Sequence, residues 1–116
     1  QQEIKLAFVS STSKNNINSI FFCLRDSLNK KDFDFIGNSK LVKKLKPSAE
    51  IYKLALKELK LKPKECIAIE DTHESLNSAV KAKLKCFIFP GNFHRSKKFN
   101  GAFKEIKKID NNIFKF

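Results

Sequence analysis

The sequence predicts an α/β fold, a three-layer Rossmann-like parallel sheet, and three observations carry that expectation. Short apolar runs of strand length alternate with stretches of helical periodicity along the chain. The strand-like runs recur at intervals of about 30 residues or fewer, the reach of the right-handed crossover units that build parallel sheets. The run Cys66 to Glu70 is apolar at successive rather than alternate positions, as expected of a strand buried on both faces, and it stops abruptly in Glu70 and Asp71.

The elements follow in order. Leu6 to Val9 is a short apolar strand, and the polar turn after it, Ser10 to Asn15, is rich in helix-capping side chains. Ile17, Ile20, Phe21, Leu24 and Leu28 then form one apolar stripe at helical spacing. Asn29 to Asp32 is a polar break, Phe33 to Ile36 reads as a second strand closed by Gly37 and Asn38, and a basic loop leads to Lys46 and Pro47. Pro47 and Ser48 open a second helix with Tyr52, Ala55, Leu56 and Leu59 on its buried face, and Pro63 stops it. Cys66 to Glu70 is the third strand. Leu76, Ala79, Val80 and Leu84 mark a third helix, and Cys86 to Phe89 a fourth strand ended by Pro90 and Gly91. Phe99 to Ala102, with Ile106 and Ile109, suggests a return to the core as a short edge element, and Asn111 to Phe116 is expected to fray.

With 116 residues, 41% of them apolar and 31% charged, the chain has the composition of one globular unit. No apolar run approaches the roughly 20 residues of a membrane span, and the N-terminus lacks the apolar stretch of a secretory signal. A cytoplasmic protein without membrane contact is the expectation. Cys23, Cys66 and Cys86 are widely spaced within apolar segments and read as buried free thiols rather than zinc ligands. The formal charge of +12 raises nucleic-acid binding, but the lysines are dispersed, arginine occurs only at Arg25 and Arg95, and no basic motif is interleaved with aromatic residues. That distribution argues against nucleic acid, and an AT-rich coding sequence explains the lysine and asparagine content. The chain has no methionine and begins with Gln1, too large a residue for ready removal of a preceding initiator methionine. The expectation is the C-terminal part of a longer protein.

The chemistry-bearing residues gather at strand ends, where open parallel sheets bind their ligands. Ser10 and Ser11 follow the first strand, Lys46 follows the second after a loop, and Glu70 and Asp71 follow the third. A hydroxyl and an ammonium suit a phosphoryl group, by hydrogen bonding and by charge neutralisation. Magnesium takes one or two carboxylates and completes its shell with water and phosphate oxygens. Each residue also has a plainer reading: the serines as a helix N-cap, Lys46 as solvated surface, the acids as helix-starting residues that oppose the dipole. Their ordered coincidence points to phosphoryl transfer.

These segments resemble the motifs of the haloacid-dehalogenase-like (HAD) superfamily, in the branch containing β-phosphoglucomutase and related sugar-phosphate phosphatases. Lys5-Leu-Ala-Phe-Val-Ser-Ser-Thr12 looks like the family's second motif. Lys46-Pro47 with Glu50-Ile-Tyr52 looks like the third, and Pro63-Lys-Glu-Cys-Ile-Ala-Ile-Glu-Asp-Thr72 like the fourth. Phe99-Asn-Gly-Ala102 is similar to a segment near the C-terminus of this branch. The resemblance implies a Mg2+-dependent phosphohydrolase of small phosphorylated metabolites such as sugar phosphates, or a phosphomutase. It assigns Ser10, with Ser11 as fallback, to hydrogen-bonding the transferring phosphoryl group, and Lys46 to neutralising its charge. Asp71 would bind magnesium directly, and Glu70 would assist as ligand or as partner of a ligand.

Family members also use an aspartate nucleophile in an Asp-x-Asp motif after their first strand, and that motif and the helical cap following it are absent here. Residues 1–116 therefore read as the C-terminal portion of a HAD-like core, inactive alone because the aspartyl phosphate cannot form. Loss of the first strand should leave an uncovered sheet edge that promotes self-association. Asp32 and Asp34 have Asp-x-Asp spacing but lie around the second strand, and read as a turn acid and a strand-edge acid. Leu45, Ser75 and Lys83 stand where the family commonly has glycine, a departure costing roughly 1 kcal/mol where the backbone is left-handed. His73, beside the acids, reads as an exposed loop residue. Two rivals have discriminators. A response-regulator receiver domain would order its residues acid, hydroxyl, lysine, against hydroxyl, lysine, acid here. A non-catalytic basic binding module would show steep salt dependence of nucleic-acid affinity.

Overall fold

The computed structural model describes residues 4–89 and 101–107. The elements run β1 (Ala7–Val9), α1 (Lys14–Cys23), β2 (Phe35–Gly37), α2 (Glu50–Leu59), β3 (Ile67–Glu70), α3 (His73–Lys81), β4 (Lys85–Ile88) and β5 (Lys104–Glu105). Strand–helix alternation holds as expected, and every strand pair is parallel. Val9 lies opposite Gly37 in the first sheet, while Ala68 lies opposite Cys86 and Phe87 opposite Lys104 in the second, whose order is β3-β4-β5. The parallel strands thus fall into two sheets, β1-β2 and β3-β4-β5. Among the described residues β1 and β3 do not pair, and the Lys46 side chain bridges their carboxyl ends. Its Nζ is 3.1 Å from the Val9 carbonyl oxygen and 2.8 Å from Glu70 Oε2.

Side chains alternate across a strand, so β1 meets helices on both faces. Phe8 packs against Phe21 of α1 and against Phe33, with ring centroids 5.5 and 5.8 Å apart. Val9 faces the other way, onto the main core, where Ile51 and Tyr52 of α2 meet Ala68, Cys86 and Ile88 of the sheet and Leu76 and Ala79 of α3. This local helix–sheet–helix arrangement is the predicted layering. Gly37 brings β2 close to α2: a Cβ there would lie 3.2 Å from Ile51 Cδ1 and 3.0 Å from Phe35 Cε2.

Several boundaries shift for identifiable reasons. α1 stops at Cys23, and the Ser27 and Leu28 amides both fold back to the Leu24 carbonyl at 2.8 Å, making a turn where the stripe anticipated more helix. Ile17 and Phe21 are buried as expected, while Ile20 and Leu24 are exposed. Cys23 is exposed, contrary to the expectation of a buried thiol; it sits two positions past Phe21, turned to the far side of a helix with about 3.6 residues per turn. Cys66 is half-buried and Cys86 buried, and all three are free thiols.

α2 begins at Glu50 rather than Pro47, since Ser48 is spent in a turn: its amide donates to the Leu45 carbonyl and its Oγ accepts from the Glu50 amide. Its C-cap is Lys60, which is left-handed at φ 57°, and Lys5 Nζ donates to the Leu59 carbonyl at 2.8 Å. Lys83 also adopts a positive φ, 70°, and so is the one of the three glycine-position substitutions in the left-handed region. β5 supplies the expected edge element, with the Ile106 amide donating to the Ile88 carbonyl at 2.7 Å. The expectations for Pro90, Gly91, Phe99, Asn100, Ile109 and residues 111–116 lie outside the described residues.

Candidate active site

The strand ends converge on Lys46. The loop ahead of α2 is shaped by Glu50, whose Oε2 accepts from the Lys43 amide and, at 3.3 Å, from the Lys44 amide. From the other side Ser78, fully buried on α3, donates from Oγ to the Ser48 carbonyl at 2.6 Å. Between these anchors the Lys46–Pro47 peptide bond is cis. The Lys46 side chain turns inward rather than into solvent, where the plainer reading had placed it, and is 7% exposed. Besides Val9 O and Glu70 Oε2, its ammonium reaches Ser75 Oγ at 3.4 Å and lies 5.2 Å from the centroid of the Tyr52 ring.

Glu70 closes β3, where its carbonyl accepts from the Phe89 amide at 2.8 Å. Its carboxylate, 10% exposed, accepts both the Lys46 ammonium and the Tyr52 hydroxyl on Oε2. A buried carboxylate needs such donors, since burial of an uncompensated charge is strongly unfavourable. The Tyr52 phenol is pushed well above its usual range, first by burial and then by the negative charge of Glu70, so it stays protonated and donating. Burial pushes the Cys86 thiol up to about 12, with the Glu70 charge adding and Lys46 opposing. The Cys66 thiol is also raised, by burial first and by Glu65 second.

Asp71, exposed, lies next on the rim. Neither acid is consumed in starting α3. Thr72 is the N-cap, with Oγ1 accepting from the Ser75 amide at 3.2 Å, and Glu74 is the acid of the first turn. His73 is half-buried and opens α3 rather than lying in a loop. The serines are likewise released from the plainer reading, because α1 is capped by Ser13, which accepts from the Asn16 amide at 3.1 Å. Ser10 directly follows β1; its amide donates to the Gly37 carbonyl and its Oγ accepts from the Thr12 amide at 3.1 Å. Ser11 Oγ accepts from the Lys46 amide at 3.1 Å, tying the loop after β1 to the lysine. Asp32 and Asp34 serve the backbone, accepting from the Asn29 and Leu6 amides.

Ser10, Ser11, Lys46, Glu70 and Asp71 thus share one rim. Tyr52, Ser75 and Glu50 join them without having been singled out as site residues; Tyr52 carried a helical-periodicity signal and a place in the segment resembling the third motif, neither of which assigns its hydroxyl a role. Among the described residues no group of three or more His, Cys, Asp or Glu side chains is arranged to hold a metal. Adjacent carboxylates nevertheless fit Mg2+, a hard ion that takes one or two carboxylates and fills the remainder with water and phosphate oxygens.

The family model described as haloacid dehalogenase-like hydrolase matches residues 1–89. The chain belongs to the haloacid dehalogenase-like hydrolases. Within this family it is 35% identical over 99 residues to Protein CbbY of Cereibacter sphaeroides, an alignment covering 85% of this chain and 43% of that protein. Its fold superposes on the crystal structure of CbbY from Rhodobacter sphaeroides in complex with phosphate with a TM-score of 0.83 at 33% identity, over 90% of this chain and 47% of the other. A structure of a CbbY variant with xylulose-(1,5)-bisphosphate matches equally well, at 0.83. β-Phosphoglucomutase from Clostridium difficile matches with a TM-score of 0.76 at 26% identity, over 97% of this chain and 48% of that enzyme. The chain spans less than half the length of these relatives. Among the described residues no helix is long and apolar enough to cross a membrane.

Proposed function

We propose that this chain supplies the phosphate-binding and metal-binding rim of a Mg2+-dependent phosphohydrolase of small phosphorylated metabolites such as sugar phosphates, working in the cytoplasm. The observation that carries the reading is the buried Lys46–Glu70 pair at the shared carboxyl ends of β1 and β3, with Ser10 and Ser11 beside it. A cation held by several partners at fixed positions is preorganised to meet phosphoryl oxygens without reorganising, which is where electrostatic catalysis is most effective. Ser10 or Ser11 donates a hydroxyl hydrogen bond to the same group. Asp71, with Glu70 beside it, would hold Mg2+, which when bound offsets the charge of the phosphoryl oxygens.

In the mechanism that family membership supports, an aspartate outside these residues attacks phosphorus, the bond to the leaving oxygen breaks, and that oxygen takes a proton. Water then attacks the aspartyl phosphate, releasing phosphate and restoring the carboxylate. The edges of β1 and β3, which do not pair among the described residues and are bridged at their carboxyl ends by Lys46, would suit a strand carrying that aspartate. Likeness to β-phosphoglucomutase keeps a phosphomutase as the second reading, in which a sugar hydroxyl replaces the water.

The test starts from the coding sequence upstream of Gln1. An apolar strand followed by Asp-x-Asp is expected, and the longer protein should release phosphate from sugar phosphates only with Mg2+. Lys46→Met in it should lower turnover by about 100-fold or more. The 116-residue chain alone should release none. An upstream stop codon, or full activity after Lys46→Met, would overturn the reading.

A further inference from the structure

We propose that Tyr52 is a positioning residue for Glu70, an inference that rests on the metal-binding reading above. Tyr52 lies on the inner face of α2 and is 7% exposed, a place where phenylalanine would fill the same space without a polar atom to satisfy. Burying a phenol is unfavourable unless its hydroxyl finds a partner, and this one is directed to Glu70 Oε2. Lys46 Nζ meets the same oxygen at 2.8 Å. Donors from two directions, one on helix α2 and one on the loop before it, converge on a single carboxylate oxygen and restrict the Glu70 rotamer. The other oxygen stands outside these two bonds. A carboxylate held in one orientation next to Asp71 presents the pair together to a cation, as outer partners commonly do for metal ligands. Lys46 alone would hold Glu70 less well, because its ammonium is also drawn to Val9 O and Ser75 Oγ. Tyr52 also underlies that ammonium, with its ring centroid 5.2 Å from Nζ, so removal of the hydroxyl alone separates the two roles.

The experiment measures Mn2+ binding by electron paramagnetic resonance on the 116-residue chain, comparing wild type with Tyr52→Phe and with Glu70→Gln/Asp71→Asn. Phenylalanine preserves packing and the ring beneath Lys46 and deletes only the O–H. Binding by wild type, its loss in the double variant, and affinity about ten-fold weaker in Tyr52→Phe with an unchanged circular dichroism spectrum are expected. Equal or tighter binding by Tyr52→Phe would overturn the positioning role while leaving the metal site standing. Wild type and the double variant binding alike, or not at all, would instead overturn the metal reading and the positioning role with it.

A second measurement needs no variant. Tyr52 is the sole tyrosine, so its hydroxyl proton can be identified by NMR without ambiguity. It should exchange slowly with water and broaden when Mn2+ is added. Free exchange, as in an unstructured peptide, would refute the hydrogen bond and the proposal.

Discussion

Replacement of Lys46 by methionine should be strongly destabilising, and the size of the effect follows from the geometry. The Lys46 ammonium and the Glu70 carboxylate are 2.8 Å apart, with side chains only 7% and 10% exposed. At an effective dielectric constant of about 20, unit charges at that separation attract by roughly 6 kcal/mol before the desolvation of both ions is subtracted. Desolvation offsets much of this, so the pair contributes far less than its gross attraction. Removing one partner, however, leaves a charge already inside the core, a loss of about 3 to 5 kcal/mol. The Tyr52 hydroxyl remains on Glu70 in Lys46→Met and should hold the loss near the lower limit. Glu70→Gln leaves the ammonium with Val9 O and Ser75 Oγ and should lose somewhat less. The double variant, with no stranded charge, should be little worse than either single one, a coupling of about 2 to 3 kcal/mol. Urea unfolding followed by circular dichroism at neutral pH measures all four corners of the cycle. If the single losses add to within about 0.5 kcal/mol, Lys46 and Glu70 are independent and the buried-pair account of this site is wrong.

Other outcomes can be checked independently. Leu76 is fully buried, so Leu76→Ala should lower stability by about 2 to 5 kcal/mol, whereas Val80→Ala, at a position 38% exposed, should lose under about 1 kcal/mol; thermal melts that rank them the other way would refute the core assignment. Thiol labelling of the folded chain, read by mass spectrometry, should modify exposed Cys23 first and Cys86 last; equal rates would contradict their burial. The Cys86 pKa is raised in the folded state from 9.0 to about 12, so the neutral thiol contributes stability that is fully present below pH 9 and lost as pH rises toward 12. Across that window the urea midpoint should fall more steeply for wild type than for Cys86→Ala, and parallel slopes would remove the linkage. The edges of β1 and β3 should make the isolated chain self-associate, seen as concentration-dependent mass in sedimentation; a strictly monomeric, cooperatively folding chain would count against it.

The sequence by itself determined the order of elements, because strand and helix periodicities and their punctuating Pro, Gly and Asn residues are local signals. It also marked Ser10, Ser11, Lys46, Glu70 and Asp71, whose residue types and order along the chain resemble a known set of motifs. What it left open were matters of direction and of long-range contact. Periodicity cannot say that Lys46 points into the core, since lysine is an exposed residue in most settings. The helix-capping reading of the acids and serines was removed only when Thr72 and Ser13 were found to cap the helices instead. Tyr52 illustrates the limit most clearly. Its spacing on α2 marks a buried ring, but the value of its hydroxyl depends on Glu70, eighteen positions later on another element, and only the folded chain brings the two together.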